Sequence, residues 1–269
     1  MKVFHAIILG LIQGLTEFLP VSSSGHLLLA NKLFGLTEGG MIFTVLLHLG
    51  TLAAVLVVYR KRIIEMIMHP VKQKMYWIWM ILATCVTVVL ALVLKKLGVM
   101  DFAESGRLLG FCFLFTALLL TLTDLMRKRI PGRLTVPEMK WYHAAFIGFM
   151  QGIAPLPGIS RSGATITGAT ACRLKKEEAA EFSFLLSIPA ILGGLVLEVY
   201  DALKGGEPLA VNWLCCVVGV IIAAVSGYFA VRFMIRLITK RSFLGFTIYT
   251  AALGVFVLLD QYVFHLLKW

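Results

Sequence analysis

Two short polar stretches interrupt an otherwise apolar chain and hold its most reactive side chains. Residues 13–26 read QGLTEFLPVSSSGH, and residues 151–165 read QGIAPLPGISRSGAT. At an offset of 138 residues, five residue types of the first stretch recur in the second: Gln13, Gly14, Ser22, Ser24 and Gly25 match Gln151, Gly152, Ser160, Ser162 and Gly163. This recurrence predicts one site that is built twice.

The first stretch supplies a carboxylate. Glu17 lies four residues after Gln13, so on a helix the two side chains share one face. An acidic residue at the centre of a membrane helix costs roughly 2.5–3.5 kcal/mol and generally has a partner. We therefore expect Glu17 to face a polar pocket. The alternative is a helix near the bilayer interface, with Glu17 in headgroup water.

Pro20 ends this first helix, and three serines then lead into a second one. Ser22, Ser23 and Ser24 can cap that helix while its free N–H groups form an anion site. His26 follows in the first turn and can donate or accept a proton near neutral pH. Small polar residues in membrane helices also serve as packing surface, which is the plainer interpretation.

The second stretch adds a cation. Two prolines end the incoming helix, Gly158 permits an unusual turn, and the next helix opens with polar residues: Ser160, Arg161, Ser162 and Thr165. The planar guanidinium of Arg161 suits a phosphate better than an ammonium does. The alternative is that Arg161 pairs with Glu17 only to hold the two stretches together.

Composition places these stretches in a bilayer. The chain is 59% hydrophobic and only 14% charged, with a mean hydropathy of +0.91. Backbone groups facing lipid must be satisfied internally, and long apolar runs favour helices over a barrel. The net charge of +11 comes from clusters between apolar segments. Such clusters are typical of cytoplasmic loops and argue against nucleic-acid binding. The five cysteines show no CxxC spacing, and we expect buried free thiols.

Apolar run lengths predict ten helices. Four are too short or too polar to cross about 30 Å of hydrocarbon and form two re-entrant hairpins. These four are Val3 to Leu19, Ser24 to Leu33, Trp141 to Ala154 and Arg161 to Ala171. The six predicted spans are Met41 to Tyr59, Tyr76 to Leu94, Arg107 to Met126, Glu178 to Tyr200, Trp213 to Arg236 and Phe243 to Leu266. The predicted fold is thus an all-α polytopic membrane protein with one integral membrane domain, residues 1–269.

The duplication predicts an inverted-topology repeat. Each half, about 1–126 and about 141–267, has one re-entrant hairpin and three transmembrane helices. Three crossings turn the second half upside down, so the hairpins enter from opposite faces. Of 25 Lys and Arg residues, 17 lie in loops that this topology puts on one side. By the positive-inside rule that side is cytoplasmic, and both termini and the first hairpin face outward.

The same residues resemble a known family, the bacterial undecaprenyl-diphosphate phosphatases of the bacitracin-resistance type. Gln13 and Glu17 match the family's first motif, which is Glu or Gln, then any three residues, then Glu, and His26 matches its histidine. Its second motif, Pro-Gly-x-Ser-Arg-Ser-x-x-Thr, is matched in full from Pro157 to Thr165. The resemblance covers essentially the whole chain. Gln13 stands where many members have a carboxylate.

The resemblance implies hydrolysis of undecaprenyl diphosphate to the monophosphate carrier used in cell-wall synthesis, with Mg²⁺ or Ca²⁺ as cofactor. It implies a multi-pass protein of the bacterial inner membrane, and a homodimer is left open. In this hypothesis Glu17 binds the cation, Gln13 is a second candidate ligand, and His26 transfers the proton. The phosphate is gripped by the polar tips of both hairpins: Ser22, Ser24, Gly158, Ser160, Arg161, Ser162 and Thr165. The nucleophile is Ser23, His26 or water.

Two alternatives to catalysis remain at this stage. Broken helices that meet at mid-membrane are also the plan of secondary transporters, where Arg161 would hold cargo. Flipping of an anionic lipid is the other. Among the remaining polar residues, His48 and Glu181 lie in apolar segments and are candidates for lining the pocket, whereas Glu198, Asp201 and Glu207 look like a helix end and loop.

Overall fold

A computed structural model describes residues 2–35, 40–205, 212–267 and 269. The described chain is a bundle of α-helices without strands. Its helices, numbered α1 to α12, are Val3–Phe18, Ser23–Phe34, Gly40–Val58, Arg60–Met68, Lys74–Lys96, Val99–Glu104, Leu109–Arg129, Trp141–Gly152, Arg161–Ala171, Lys176–Gly205, Trp213–Lys240 and Leu244–Leu259. Glu207 and part of the loop before α11 lie outside the described residues.

Membrane-spanning helices are found where apolar length predicts them. Five described helices are long and apolar enough to cross a bilayer: α5, α7, α10, α11 and α12, the last continued by a π-turn. The sixth predicted span is α3, which meets α4 at a bend of 72°. The protein is therefore a multi-pass membrane protein with five to six crossings among its described residues.

The first hairpin, α1 and α2, turns sharply between Phe18 and Ser23. Ser22 adopts a positive φ of 72°, which a residue with a side chain takes up only at a cost. Its hydroxyl accepts a hydrogen bond from the backbone N–H of Gly25 at 3.3 Å and so caps α2. The helix begins at Ser23, one residue earlier than predicted.

The second hairpin, α8 and α9, turns at Gly158, where φ is +98°. A Cβ at this position would lie 2.6 Å from the Cβ of Cys112. Both the backbone conformation and the lack of space therefore require glycine. Ser160 caps α9 by accepting from the N–H of Gly163 at 3.1 Å. Thr116 of α7 holds the turn from outside, since it donates to the carbonyl of Gly158 at 2.8 Å and accepts from the N–H of Ser160 at 3.0 Å.

Each hairpin packs through glycine on a long helix of the other half. On α1, Gly10 and Gly14 lie against α11, where a Cβ on Gly14 would fall 1.9 Å from Oγ of Ser226. On α8, a Cβ on Gly148 would meet the backbone of Ala83 on α5 at 2.4 Å. Small residues four apart let membrane helices approach this closely.

The two pairs of packing glycines are themselves 138 residues apart, because Gly10 and Gly14 precede Gly148 and Gly152 by that interval. Each hairpin therefore packs against a helix of the other half, and it does so through glycines at equivalent positions of the repeat. Inversion of the second half relative to the membrane stays a prediction.

Two short helices were not predicted. The charges of the segment from Arg60 to Lys74 predict a loop, yet its first part forms α4, whose buried residue is Met66. Arg62 of α4 donates from Nε to Glu181 at 2.8 Å, and the hydroxyl of Tyr76 donates to the same oxygen at 3.2 Å. Glu181 thus anchors α4 to α10. The other short helix, α6, follows a left-handed Gly98.

The connection between the halves is also ordered by polar contacts. The N–H and hydroxyl of Thr135 both donate to Glu138 at 2.7 Å, and these bonds hold the pKa of that carboxyl below its usual range. The N–H groups of Arg133 and Leu134 donate to the carbonyl of Arg173. All five cysteines are free thiols, and four are buried as expected. Cys85 is exposed on α5, a correction to that expectation.

Candidate active site

The two hairpin tips meet at Glu17, near the end of α1. One carboxylate oxygen, Oε1, accepts from Nη2 of Arg161 at 2.7 Å. The other, Oε2, accepts from Oγ of Ser23 at 2.5 Å and from Nε2 of Gln13 at 3.1 Å. The side chains of Glu17 and Arg161 are only 7% and 13% exposed. A buried carboxylate is thereby neutralised by a buried guanidinium from the other half.

Ser23 and Arg161 are equivalent positions of the repeat. They are 138 residues apart, and each is the first residue of the second helix in its hairpin. Both side chains reach Glu17, one on each oxygen. The site is therefore formed where the tips of both halves converge.

Several hydroxyls predicted to bind substrate hold the tips together. Ser22 accepts a second hydrogen bond, from the N–H of Gly158 at 3.0 Å, and so joins the hairpins. Ser162 donates across the same junction to the carbonyl of Leu19 at 3.3 Å. These contacts fix the relative position of Glu17 and Arg161.

The remaining predicted hydroxyls are also occupied within the protein. Ser160 is 1% exposed and caps α9, with Ser162 at 3.3 Å from its oxygen. Thr165 hydrogen bonds to Ser183 of α10 at 2.5 Å. Ser24 lies 3.4 Å from Ser22, oxygen to oxygen, and is only half-buried. The polar residues of both motifs thus serve mainly to shape the junction.

Donors for an anion come from the backbone and from Arg161. The first two N–H groups of α2 and of α9 find no acceptor among the described residues, because the caps satisfy only the N–H groups that follow them. Nη1 of Arg161 is buried and likewise has no partner there. Two helix N-termini and one guanidinium therefore present unused donors, which is the arrangement that a phosphate requires.

His26 lies beside this junction in contact with α12. Its Nδ1 is 2.7 Å from the carbonyl of Ser22, and its Nε2 is 2.7 Å from the hydroxyl of Tyr249. A carbonyl only accepts, so Nδ1 carries a proton, and in the neutral ring Nε2 accepts from the hydroxyl of Tyr249. The ring also meets Phe113 edge-on at 5.4 Å. Tyr249, a residue of α12 that the sequence did not single out, thus links His26 to that helix.

A second imidazole, that of His48 on α3, lies beside the carboxylate of Glu17. Its Nε2 is 3.9 Å from Oε2 of Glu17, and its Nδ1 is 2.9 Å from the carbonyl of Thr44. His48 thus lies next to the carboxylate of the junction. Glu181, the other candidate, lies in the separate contact with Arg62.

The donor set around Glu17 is compatible with a divalent cation. The described residues contain no group of three or more His, Cys, Asp or Glu that would form a site alone. However, Oε1 of Gln13 is fully buried and has no hydrogen-bond partner there, beside a carboxylate. An orphaned amide oxygen and a carboxylate oxygen are ligands that Mg²⁺ and Ca²⁺ accept, with further oxygens from water or phosphate.

Comparison with known proteins shows which family the chain belongs to. A family model described as bacitracin resistance protein BacA matches residues 6–256, a range that contains every residue of the junction. The chain belongs to the BacA family. It is 44% identical to the undecaprenyl-diphosphatase of Carboxydothermus hydrogenoformans, over 97% of this chain and 98% of the relative.

Other members show the same extent of similarity. Undecaprenyl-diphosphatase 4 of Bacillus thuringiensis is 39% identical, over 97% of this chain and 98% of its own. The undecaprenyl-diphosphatase of Halothermothrix orenii is 35% identical, over 98% of this chain and 100% of its own. The similarity thus extends over nearly the whole of this chain and of each of these relatives.

Proposed function

We propose that the chain is an undecaprenyl-diphosphatase, which hydrolyses undecaprenyl diphosphate to undecaprenyl phosphate and inorganic phosphate. Membership of the BacA family and relatives of that name support the activity. The observation that carries the proposal is the buried pair of Glu17 and Arg161, surrounded by unused donors within a membrane bundle. A lipid diphosphate combines the apolar chain and the anionic head that such a site fits.

Binding of the diphosphate is assigned to Arg161 and the two helix N-termini. Phosphoryl transfer needs positioning and neutralisation of charge more than covalent work by the protein. Arg161 has Nη1 free for a phosphate oxygen while Nη2 stays on Glu17. The serines of both tips keep these donors aligned through the contacts between the hairpins.

We infer that Ser23 is the nucleophile. Its hydroxyl donates to Glu17 at 2.5 Å, so the carboxylate is placed to accept the proton when Oγ attacks the terminal phosphorus. The bond to the bridging oxygen then breaks, undecaprenyl phosphate leaves, and water releases phosphate from the serine. His26, with both ring nitrogens engaged, is a proton carrier in this scheme.

Trapping a covalent phosphoryl-enzyme intermediate tests the identity of the nucleophile. Enzyme quenched during turnover of substrate labelled in the terminal phosphate should carry acid-stable label on the peptide that contains Ser23. Acid-labile label on nitrogen would assign the role to His26. An absence of label at every quench time would favour direct attack by water.

Glu17 and Gln13 are proposed to hold the Mg²⁺ or Ca²⁺ cofactor, because they provide a buried carboxylate and an orphaned amide oxygen. When bound, the cation would neutralise charge on phosphate oxygens. The protein is further proposed to lie in the bacterial inner membrane with both termini and the site opening outward, which the charge asymmetry of its loops supports. A homodimer stays a prediction.

The activity is tested with purified protein in detergent, where no compartments exist. Release of inorganic phosphate from undecaprenyl diphosphate is expected, and a Glu17→Gln variant should release almost none. A transporter or flippase alone would give no phosphate from either protein. Lipid flipping by the same fold needs sealed vesicles and would not alter this result.

A further inference from the structure

The position of His48 beside Glu17 is not explained by hydrogen bonding. Nε2 of His48 and Oε2 of Glu17 are 3.9 Å apart, which is too long for a hydrogen bond. Bonds from nitrogen and oxygen ligands to a divalent transition metal measure about 2.0–2.2 Å, so two ligand atoms on either side of one ion lie up to about 4.2 Å apart. The separation of 3.9 Å lies between the roughly 3.4 Å of two tetrahedral ligands and the roughly 4.2 Å of two opposite ligands, so one ion can lie between the two side chains after they close by about half an ångström.

The other ring nitrogen of His48 is prepared for this role. Nδ1 lies 2.9 Å from the carbonyl of Thr44, one turn back on α3, and a carbonyl only accepts. Nδ1 therefore carries a proton, and Nε2 faces Glu17 as the ring nitrogen that is open to a metal ion. Histidines that bind metals almost always donate their second N–H in this way to a carbonyl or carboxylate, which fixes the tautomer.

A third ligand is within reach on α1. Gln13 is fully buried, its Nε2 donates to Oε2 of Glu17 at 3.1 Å, and its Oε1 has no partner among the described residues. Half a turn about the last side-chain bond exchanges the two amide atoms. Oε1 then lies beside Oε2 of Glu17, where a cation bound to that carboxylate would give the orphaned acceptor a partner.

We propose that His48, Glu17 and Gln13 form a mixed nitrogen and oxygen site, with His48 as a direct ligand. The inference rests on the proposed function only in placing a cation at Glu17. It extends that function by the ligand His48 and by the class of metal. Imidazole nitrogen suits Zn²⁺ and its neighbours, whereas Mg²⁺ and Ca²⁺ take oxygen. The site therefore binds Mn²⁺, Co²⁺ or Zn²⁺ more tightly than Mg²⁺.

The test measures ligation directly, without lipid substrate. Purified protein is loaded with one equivalent of Mn²⁺, and pulsed electron paramagnetic resonance records coupling between the ion and imidazole nitrogen. Wild type should show the coupling and His48→Gln should lose it. His69→Gln, which removes an imidazole from an exposed surface position, is the matched control and should keep it.

Affinity provides a second readout. Mn²⁺ should bind His48→Gln at least about tenfold more weakly than wild type, with a smaller change for Mg²⁺. His48→Asn repeats the measurement in case the first variant folds poorly, and thermal melts without metal report folding. Absence of nitrogen coupling in wild type, or its persistence in His48→Gln, would overturn the assignment. Nitrogen coupling without any phosphate release would instead refute only the phosphatase proposal.

Discussion

At the scale of single residues, the site depends on one ion pair shared between two hairpins. Glu17 and Arg161 neutralise each other at 2.7 Å in a place with little water. Removing one member leaves the other as an unpaired buried charge, which is far more costly than the pair itself. Variants at these two positions therefore report on both chemistry and stability.

Arg161→Lys should be nearly as damaging as Arg161→Ala. A single ammonium cannot reproduce the planar fork by which the guanidinium would hold Glu17 through Nη2 and a phosphate oxygen through Nη1. We expect kcat/KM for undecaprenyl diphosphate to fall by at least about 100-fold in both variants. Arg107→Lys, at an exposed position, is the control for loss of an arginine elsewhere. Near-wild-type turnover of Arg161→Lys would contradict the assignment.

Glu17→Gln should abolish most activity together with the response to added divalent cation. The amide cannot accept the proton of Ser23 as a base, and it withdraws the only carboxylate of the proposed cation site. Phosphate release is measured against Mg²⁺ concentration for both proteins. A variant whose titration midpoint matches that of wild type would place the cation elsewhere.

The ion pair also predicts non-additive stability. Glu17→Gln and Arg161→Gln should each lower the melting temperature, and the double variant should recover part of the combined loss, since no buried charge is left alone. A coupling free energy of about 1–3 kcal/mol is expected from a double-mutant cycle. Strictly additive losses would mean that the pair is solvated in the folded protein.

The residues of the site differ in how far sequence reveals them. Glu17 and Arg161 are conspicuous because charge is expensive in apolar helices, and the repeat makes their motifs stand out. His48, Thr116 and Tyr249 sit singly in long helices, where a lone polar residue is usually packing. Only the folded bundle shows that they contact the tips, because long-range contacts leave no local spacing signal.

At the scale of elements, glycines determine how closely the hairpins approach their neighbours. Gly158 combines a φ of +98° with a space that a methyl group would fill against Cys112 and Leu109. The turn positions Ser160 and Arg161 directly, so its geometry passes straight to the site. Helix boundaries followed apolar length, whereas α4 and α6 were missed because short charged or broken segments resemble loops.

Gly158→Ala should therefore impair both folding and catalysis. A left-handed conformation costs an alanine roughly 1–2 kcal/mol, and the clash adds to it. The melting temperature and phosphate release should both fall. Gly193→Ala is the matched control, because a Cβ there meets nothing within 4 Å and alanine favours a helix interior. It should melt at the wild-type temperature or slightly above. An active, stable Gly158→Ala would show that the turn relaxes freely.

At the scale of the whole molecule, six long apolar segments and two apolar segments interrupted by polar residues predict a polytopic helix bundle. The length of a membrane-spanning apolar segment is set by the thickness of the bilayer, so such a segment can be predicted without knowledge of its tertiary contacts. The relative inversion of the halves is a different matter. It follows from counting crossings and basic loops, and it needs a measurement of sidedness.

Sidedness can be measured at corresponding helix ends. Leu97 follows α5 and Arg241 follows α11, the equivalent helix of the second half. In a background without native cysteines, Leu97→Cys should react with an impermeant maleimide added to intact cells, and Arg241→Cys only in inverted vesicles. Labelling of both from the same side would disprove the inverted repeat.

The contact between Glu17 and Arg161 has a consequence for how ligands arrive. Each charge already satisfies the other, so neither a lone anion nor a lone cation gains much by displacing its rival. In the proposed site, a phosphate on Nη1 of Arg161 would weaken the compensation of the carboxylate by the guanidinium, and a cation on Glu17 would do the same to the guanidinium. The two ligands are then expected to bind cooperatively, and linkage requires each to raise the affinity of the other by the same factor. Such a junction would bind an anionic substrate together with its cation in preference to either one alone.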